Sequence, residues 1–122
     1  MTARGPRPGQ PVRGSDSGEP IMALLDLLGR RWALRIVWEL RAESLNFREL
    51  QQRCGGVSSS VLNDRLAELR EAGALEQTSQ GYQLSSEGIR LLELYPPLQD
   101  WADRWARREG VSTSRERRAG LD

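Results

Sequence analysis

Apolar residues recur at intervals of three and four along most of this chain, which is the spacing of one face of an α-helix. Such stripes begin near residues 20, 32, 46, 58, 85 and 98. Two short runs, 75–78 and 82–85, flank Ser79-Gln80-Gly81 and predict a β-hairpin. The predicted fold class is therefore mainly α with a small β-hairpin.

Local signals place the ends of these helices. Asn46 with Glu49 three residues later is a capping pair, and Ser58 can accept from a backbone amide two or three residues on. Gly73 ends the helix that Ser58 begins, since glycine accepts left-handed backbone. Gly29 interrupts the first stripe, so that region is either two helices or one helix bent there.

Segment 46–82 places two helices around the turn Gly55-Gly56, with the hairpin behind them. In DNA-binding proteins of this pattern, the helix after the turn lies in the major groove and its polar outer face contacts the bases. This predicts a winged helix-turn-helix. The outer face of the second helix carries Ser59, Ser60, Asn63, Asp64 and Ala67, and its buried stripe is Val61, Leu62, Leu66 and Leu69.

Composition divides the chain into three parts. Residues 1–18 are rich in proline, glycine and arginine and predict a disordered tail, residues 19–109 the folded domain, and residues 110–122 a flexible arginine-rich tail. The alternative for the first part is an arm along a DNA groove, using Arg4, Arg7 and Arg13.

Missing residue types exclude several kinds of chemistry. The chain has no histidine and no lysine, so it lacks the residues of a Ser-His-Asp triad, a histidine metal site or a Schiff base. We expect no enzymatic activity, no metal and no cofactor. With no apolar run of membrane-spanning length, we expect no membrane partner and an intracellular, soluble protein.

The net charge of +1 does not by itself indicate a nucleic-acid binder. The DNA-reading part, 46–82, sums to −1, whereas residues 104–122 sum to +3. Phosphate attraction scales with the cations placed against the backbone, so this distribution argues against strong indiscriminate binding.

Four runs in one order resemble the HxlR-type winged helix-turn-helix transcription regulators over about residues 20–108. The resemblance implies a homodimer bound to double-stranded DNA at an inverted-repeat operator, with the first and last helices forming the dimer contact. The last helix independently carries an apolar stripe too large for an exposed helix, unless it folds back on its own domain. The runs are DLLGRRWALRIVWEL, NFREL, GVSSSVLNDRLAELREAGALE and YQLSSEGIRLL, and the predicted dimer residues are Ile21, Leu24, Leu28, Leu98, Trp101 and Trp105.

The chain departs from the family where phosphate contacts are usual. Ser59 and Ser60 replace an early proline and basic residue, and the wing is short and uncharged at Gln80. Some members sense oxidants through a cysteine before the first helix, which this chain lacks. Its one cysteine, Cys54, is predicted to be a small buried residue.

Each candidate contact has a chemical reason. Asn63 can bond adenine bidentately, and Asp64 can accept from cytosine or orient Arg65. Arg65 matches a recurring family arginine and either reaches phosphate or pairs with Glu68 or Glu49. Arg48 would contact phosphate. The full set of predicted DNA-binding residues is Arg30, Arg31, Arg48, Ser58, Ser59, Ser60, Asn63, Asp64, Arg65 and Gln80.

Three alternatives stay open. Arg30-Arg31 either touches phosphate or is a solvated corner. A second alternative is a dimerisation or protein-interaction module with weakened DNA binding. A third is a regulator gated by a small-molecule effector in a pocket among Trp32, Trp38, Tyr95 and Trp101, although we expect Trp32 and Trp38 to pack in the core.

Overall fold

Helices dominate the architecture, and one hairpin interrupts them. The computed structural model describes residues 5–113, 116, 117 and 120. The strands pair antiparallel, with Thr78 opposite Gly81 across the two-residue turn Ser79-Gln80. The elements in order are α1 (Pro20–Gly29), α2 (Ala33–Glu39), α3 (Phe47–Cys54), α4 (Ser59–Glu71), β1 (Leu75–Thr78), β2 (Gly81–Leu84), α5 (Ser86–Leu91), a 3-10 turn (Leu92–Leu94) and α6 (Tyr95–Arg108).

The capping signals in the sequence form as predicted. The Asn46 side chain accepts from the amide of Glu49, whose carboxylate accepts from the Asn46 amide, completing a capping box at α3. Ser58 accepts from the amide of Val61 at the start of α4. Gly73 follows α4 with φ 87°, the left-handed conformation expected of a helix terminator.

The chain between Gly29 and Ala33 separates two helices rather than bending one. Trp32 precedes α2 with φ 79°, so it lies outside the helix in backbone that L-residues seldom adopt. Trp32 and Trp38 are both partly exposed. The prediction that they pack in the core was therefore wrong, because an arginine and solvent cover part of each ring. Arg31 lies 5.2 Å from the Trp32 ring centroid and Arg41 lies 3.9 Å from that of Trp38.

The core of the first compact unit, which ends at Leu92, is aliphatic. The inner stripe of α4 is buried as predicted except for Val61, which is partly exposed. This packing fixes which face of α4 remains in solvent. The largest fully buried side chains are Ile36, Val37, Leu45, Leu50, Leu62, Leu66 and Leu69.

The hairpin is tied to the segment before α3. Leu45 and Tyr82 exchange backbone hydrogen bonds of 3.0 and 2.8 Å, so Leu45 forms a bridge beside β2. At Gly81 a Cβ atom would lie 2.5 Å from the Leu45 carbonyl oxygen, and φ there is +116°. Only glycine meets both requirements, and it fixes the wing against the helix-turn-helix.

Residues 5–18 make contacts that their composition did not predict. The Gly5 amide donates to Glu71 at 3.1 Å, and the Arg13 amide donates to Asp26 at 3.2 Å. The Gly9 amide donates to the Gly18 carbonyl. Arg4, the first of the three arginines of the alternative arm, lies outside the described residues.

The second compact unit begins at Glu93 and contains α6. Pro96 and Pro97 lie in the first turn of α6, where their missing amides have no helical acceptor to lose. The predicted C-terminal tail falls partly on residues 114–115, 118–119 and 121–122, which lie outside the described residues.

Candidate nucleic-acid interface

One face of α4 is polar and open to solvent. Ser59, Ser60, Asn63 and Asp64 are all exposed, as predicted. The start of this face is held in place, because Gln51 of α3 donates to the Ser59 hydroxyl at 3.0 Å. The exposed polar face therefore starts at a capped helix end that α3 supports.

Asn63 and Arg48 present free donors. Neither side chain has a hydrogen-bond or ion-pair partner among the described residues, and both are exposed. An unpartnered amide on the outer face of a helix is suited to reading a base edge, since it offers one acceptor and two donors. An unpaired guanidinium on the preceding helix is suited to phosphate.

Arg65 is turned toward the domain. Its Nε donates to the Arg31 carbonyl at 2.9 Å, and its Nη1 donates to Glu68 at 3.1 Å. Of the alternatives that the sequence left for this residue, pairing with Glu68 is the one observed. The Arg31 side chain is exposed and rests on Trp32.

Arg30 is not available to DNA. Its Nη1 lies 2.7 Å from Glu68 Oε2, its Nε lies 3.2 Å from Asp26 Oδ1, and only 9% of its side chain is exposed. The prediction that Arg30 contacts phosphate or forms a solvated corner was therefore wrong. A guanidinium that bridges two buried carboxylates has few donors left, and moving it outward would leave Asp26 without a guanidinium partner and Glu68 with Arg65 alone.

Arg30, Asp26 and Glu68 form a buried network of ion pairs, and its hydrogen bonds favour the charged forms of Asp26 and Arg30. Burial alone would raise the pKa of Asp26, but hydrogen bonds from the Arg30 side chain and the Arg13 amide bring it below its ordinary value. Burial alone would lower the pKa of Arg30, and its bonds to Asp26 and Glu68 raise it instead. These groups thus remain ionised at neutral pH.

Asp26 and Glu68 were missed as site residues. Both are buried, and a signal for them was present in the sequence. Asp26 lies within the first apolar stripe, four residues before Arg30, and Glu68 lies between Leu66 and Leu69 on the inner side of α4. A carboxylate at an inward helical position requires a buried partner, and that requirement points to the nearby arginines.

The buried pairs change the meaning of the segment's charge. Glu68 contributes to the −1 of residues 46–82, but two arginines neutralise it away from solvent. Glu49 caps α3. At the wing tip Gln80 is exposed and uncharged. Arg65 belongs to the same segment and cancels Glu68, so the remaining charges of residues 46–82 still sum to −1, and only Asp64 among them lies on the outer face of α4.

Similarity to known proteins agrees with this geometry. The family model described as HxlR-like helix-turn-helix matches residues 27–110. The chain belongs to the HxlR-like helix-turn-helix family. It is a transcriptional regulator with a winged helix-turn-helix fold of the DNA-binding type.

Individual relatives support the assignment. YvaP of Bacillus subtilis, an uncharacterized HTH-type transcriptional regulator, is 28% identical over 66% of this chain and 82% of its own length. The quinone-bound structure of YodB from B. subtilis has a TM-score of 0.65 and 28% identity, covering 69% of this chain and 94% of that one. A possible HxlR family transcriptional factor from Thermoplasma volcanium has a TM-score of 0.64 and 26% identity, covering 73% and 86%.

The predicted dimer residues of this HxlR-like chain lie on two helices with open apolar surface. On α1, Ile21 is exposed, whereas Leu24 and Leu28 are partly exposed. Leu25, which was not predicted, is as exposed as Ile21. Helix α6 has no buried residue, and its apolar side chains include Leu98, Trp101 and Trp105 at 50–54% exposure.

Cys54 is buried, as predicted for a small core residue. Burial raises the pKa of its thiol above the ordinary value, so the unreactive thiol form prevails at neutral pH. Among the described residues there is no cluster of carboxylate and thiol groups able to hold a metal ion. Nor does any helix there have the length and apolar character to span a membrane.

Proposed function

We propose that this HxlR-like regulator binds a specific inverted-repeat operator as a homodimer and controls transcription by occupying promoter DNA. The observation that carries the proposal is the Asn63 amide, which has no partner within the described part of the chain and lies on the exposed face of a helix whose start is capped by Ser58. Such a helix fits the major groove, and its amide can read adenine.

The contacts divide into base reading and positioning. Asn63 reads a base, with Ser59, Ser60 and Asp64 beside it on α4. Arg48 contacts the phosphate backbone from α3, and Gln80 approaches the minor groove from the wing. Arg30 and Arg65 hold α4 from inside. Ser58 acts through its cap rather than at a base, because its hydroxyl already accepts from Val61.

A second copy accounts for the open apolar surface of α1 and α6. Leu98, Trp101 and Trp105 of one copy would pack on Ile21, Leu24 and Leu28 of the other, as the family resemblance implies. A domain of 122 residues gains stability from such burial. The two-fold dimer would set two α4 helices about one duplex turn apart.

The proposed place of action is the cytoplasm and its nucleoid. A second candidate function is regulation by a small-molecule effector. YodB was solved with a bound quinone, which supports a search for an effector here. The buried Cys54 with its raised pKa disfavours a thiol-based sensor in this chain.

The test is a fluorescence titration of purified protein with duplexes from its own upstream region. Asn63→Ala is expected to lose about 1–3 kcal/mol on the preferred duplex and little on scrambled duplexes. Arg48→Ala is expected to weaken all duplexes alike. Arg90→Ala removes a charge from α5, outside the proposed face, and serves as the control for net charge.

The outcomes separate the candidate functions. Unchanged sequence preference in Asn63→Ala removes that residue from base reading. If the wild-type protein binds no duplex at low salt yet remains a dimer, the protein is a dimerisation or protein-interaction module instead, as its uncharged wing would favour.

A further inference from the structure

The buried network of Arg30 borders a surface cleft rich in arginine. The cleft has a volume of about 410 Å³ and lies between the N-terminal segment, α1 and the flank of α4. Its charged lining consists of Arg13, Arg30, Arg31, Arg65 and Asp26.

The charges in this cleft do not balance. Asp26 and Glu68 compensate two positive charges through their bonds to Arg30 and Arg65. Arg13 and Arg31 have no carboxylate hydrogen-bonded to their guanidinium groups among the described residues. The four guanidinium groups and the two carboxylates together carry a formal charge of +2.

The backbone of Arg13 and the side chains of Arg31 and Arg65 are held at the cleft. The backbone amide of Arg13 donates to buried Asp26, which anchors the N-terminal segment at the cleft. Arg31 rests on the Trp32 ring at 5.2 Å, and its carbonyl accepts from Arg65 Nε. The Nη2 group of Arg65 has no partner among the described residues. Fixing donors in advance lowers the entropy lost when they bind an anion.

We propose that this cleft binds one phosphate group, with Arg13 and Arg31 as its direct ligands and Arg65 as a supporting donor. Paired guanidinium groups match phosphate oxygens in geometry and charge. The phosphate is carried by the DNA backbone or by a small phosphorylated molecule. The assignment to DNA backbone phosphate rests on the proposed function. Arg65 belongs to α4, and a phosphate beside the groove that α4 enters would lie near the cleft.

The first arm of the test measures DNA binding as a function of salt. Arg13→Gln, Arg31→Gln and the double variant keep the backbone groups that hold the network. Each single change is expected to reduce the slope of log K against log salt by about one and to weaken binding about eightfold at 0.1 M salt. Arg90→Gln makes the same charge change on α5 and is expected to leave the slope unchanged.

The second arm uses inorganic phosphate without DNA. Phosphate is expected to raise the melting temperature of the wild type more than that of the double variant, with chloride at equal ionic strength as the reference. The comparison between variants removes the general effect of phosphate on protein stability. This arm is informative even if the protein binds no DNA.

The outcomes separate this proposal from the proposed function. A reduced slope assigns the site to the DNA backbone. The site is assigned to a free phosphorylated ligand if the double variant loses the phosphate effect while the salt slope is unchanged. The same assignment follows if the double variant loses the phosphate effect and the wild type binds no DNA. DNA binding with equal slopes and equal phosphate effects in wild type and double variant overturns the cleft while leaving the proposed function intact. Equal phosphate effects with no DNA binding overturn both.

Discussion

The Nη1 atom of Arg30 lies 2.7 Å from Oε2 of Glu68, 38 positions further along the chain. This bond connects the end of α1 to the inner face of α4, the helix proposed to read DNA. Arg30 also holds Asp26, and Arg65 also holds Glu68. Arg30, Asp26 and Glu68 are therefore buried and orient α4. Arg13 and Arg31, which lie outside these buried pairs, are the proposed ligands of phosphate.

Replacing Glu68 by glutamine is expected to destabilise the fold by about 1–3 kcal/mol, because Arg30 and Arg65 lose a buried charged acceptor. Chemical denaturation measures the change. The matched control is Glu87→Gln, which disrupts the exposed pair with Arg90 and is expected to cost less than about 0.5 kcal/mol. Equal costs for the two variants would show that the buried pair contributes no more than an exposed one.

Gly88→Ala is expected to destabilise the protein by roughly 1–3 kcal/mol, since a Cβ atom there would overlap the carbonyl oxygen of Ala74. Gly29→Ala is the control, because nothing lies within 4 Å of the added atom. Alanine at Gly29 is expected to be neutral or stabilising by less than about 1 kcal/mol. Thermal melts of both variants check this, and a fully stable Gly88→Ala protein would mean that α5 does not pack closely on Ala74.

Trp101→Ser combined with Trp105→Ser is expected to weaken self-association at least about thirtyfold, the factor that corresponds to 2 kcal/mol for one lost aromatic anchor. The rings are 5.8 Å apart and about half exposed, so their loss leaves the core intact. Sedimentation equilibrium measures the change. Ile89→Ser removes an equally exposed apolar residue from α5 and is the control. An unchanged dimer in the tryptophan variant would place the interface elsewhere.

Cys54 is expected to react slowly with thiol reagents in the folded protein and rapidly in denaturant, because it is buried and its pKa is raised by burial. A raised folded-state pKa also means that its contribution to stability is present below the ordinary pKa of 9.0 and is lost as pH rises above it. Unfolding free energies at neutral and alkaline pH, with Cys54→Ala as reference, test the sign. Fast native labelling would contradict the burial.

Much of the fold could be predicted because its signals are local. The capping box at Asn46, the cap at Ser58 and the stop at Gly73 each depend on a few neighbouring residues. The polar face of α4 followed from the helical period alone. Local patterns could not predict the left-handed Trp32, since L-residues other than glycine seldom adopt that backbone.

The candidate site was predicted less completely, because ion pairs between distant residues leave little trace in sequence spacing. Arg30 and Arg31 are neighbours in a charged dipeptide, yet one is buried between carboxylates and the other is exposed. The anchored position of Arg13 depends on Asp26 in α1, so the composition of residues 1–18 did not indicate it.

The central claim is that the outer face of α4 enters the DNA major groove, once in each half of a two-fold dimer. Hydroxyl-radical footprinting of the upstream region tests it most directly. The account predicts two protected patches with centres about 10–10.5 base pairs, or a small multiple of that, apart. Asn63→Ala should lose this protection at concentrations where Arg90→Ala retains it. A uniform pattern at low salt, with no protected half-sites in the wild type, would contradict the account.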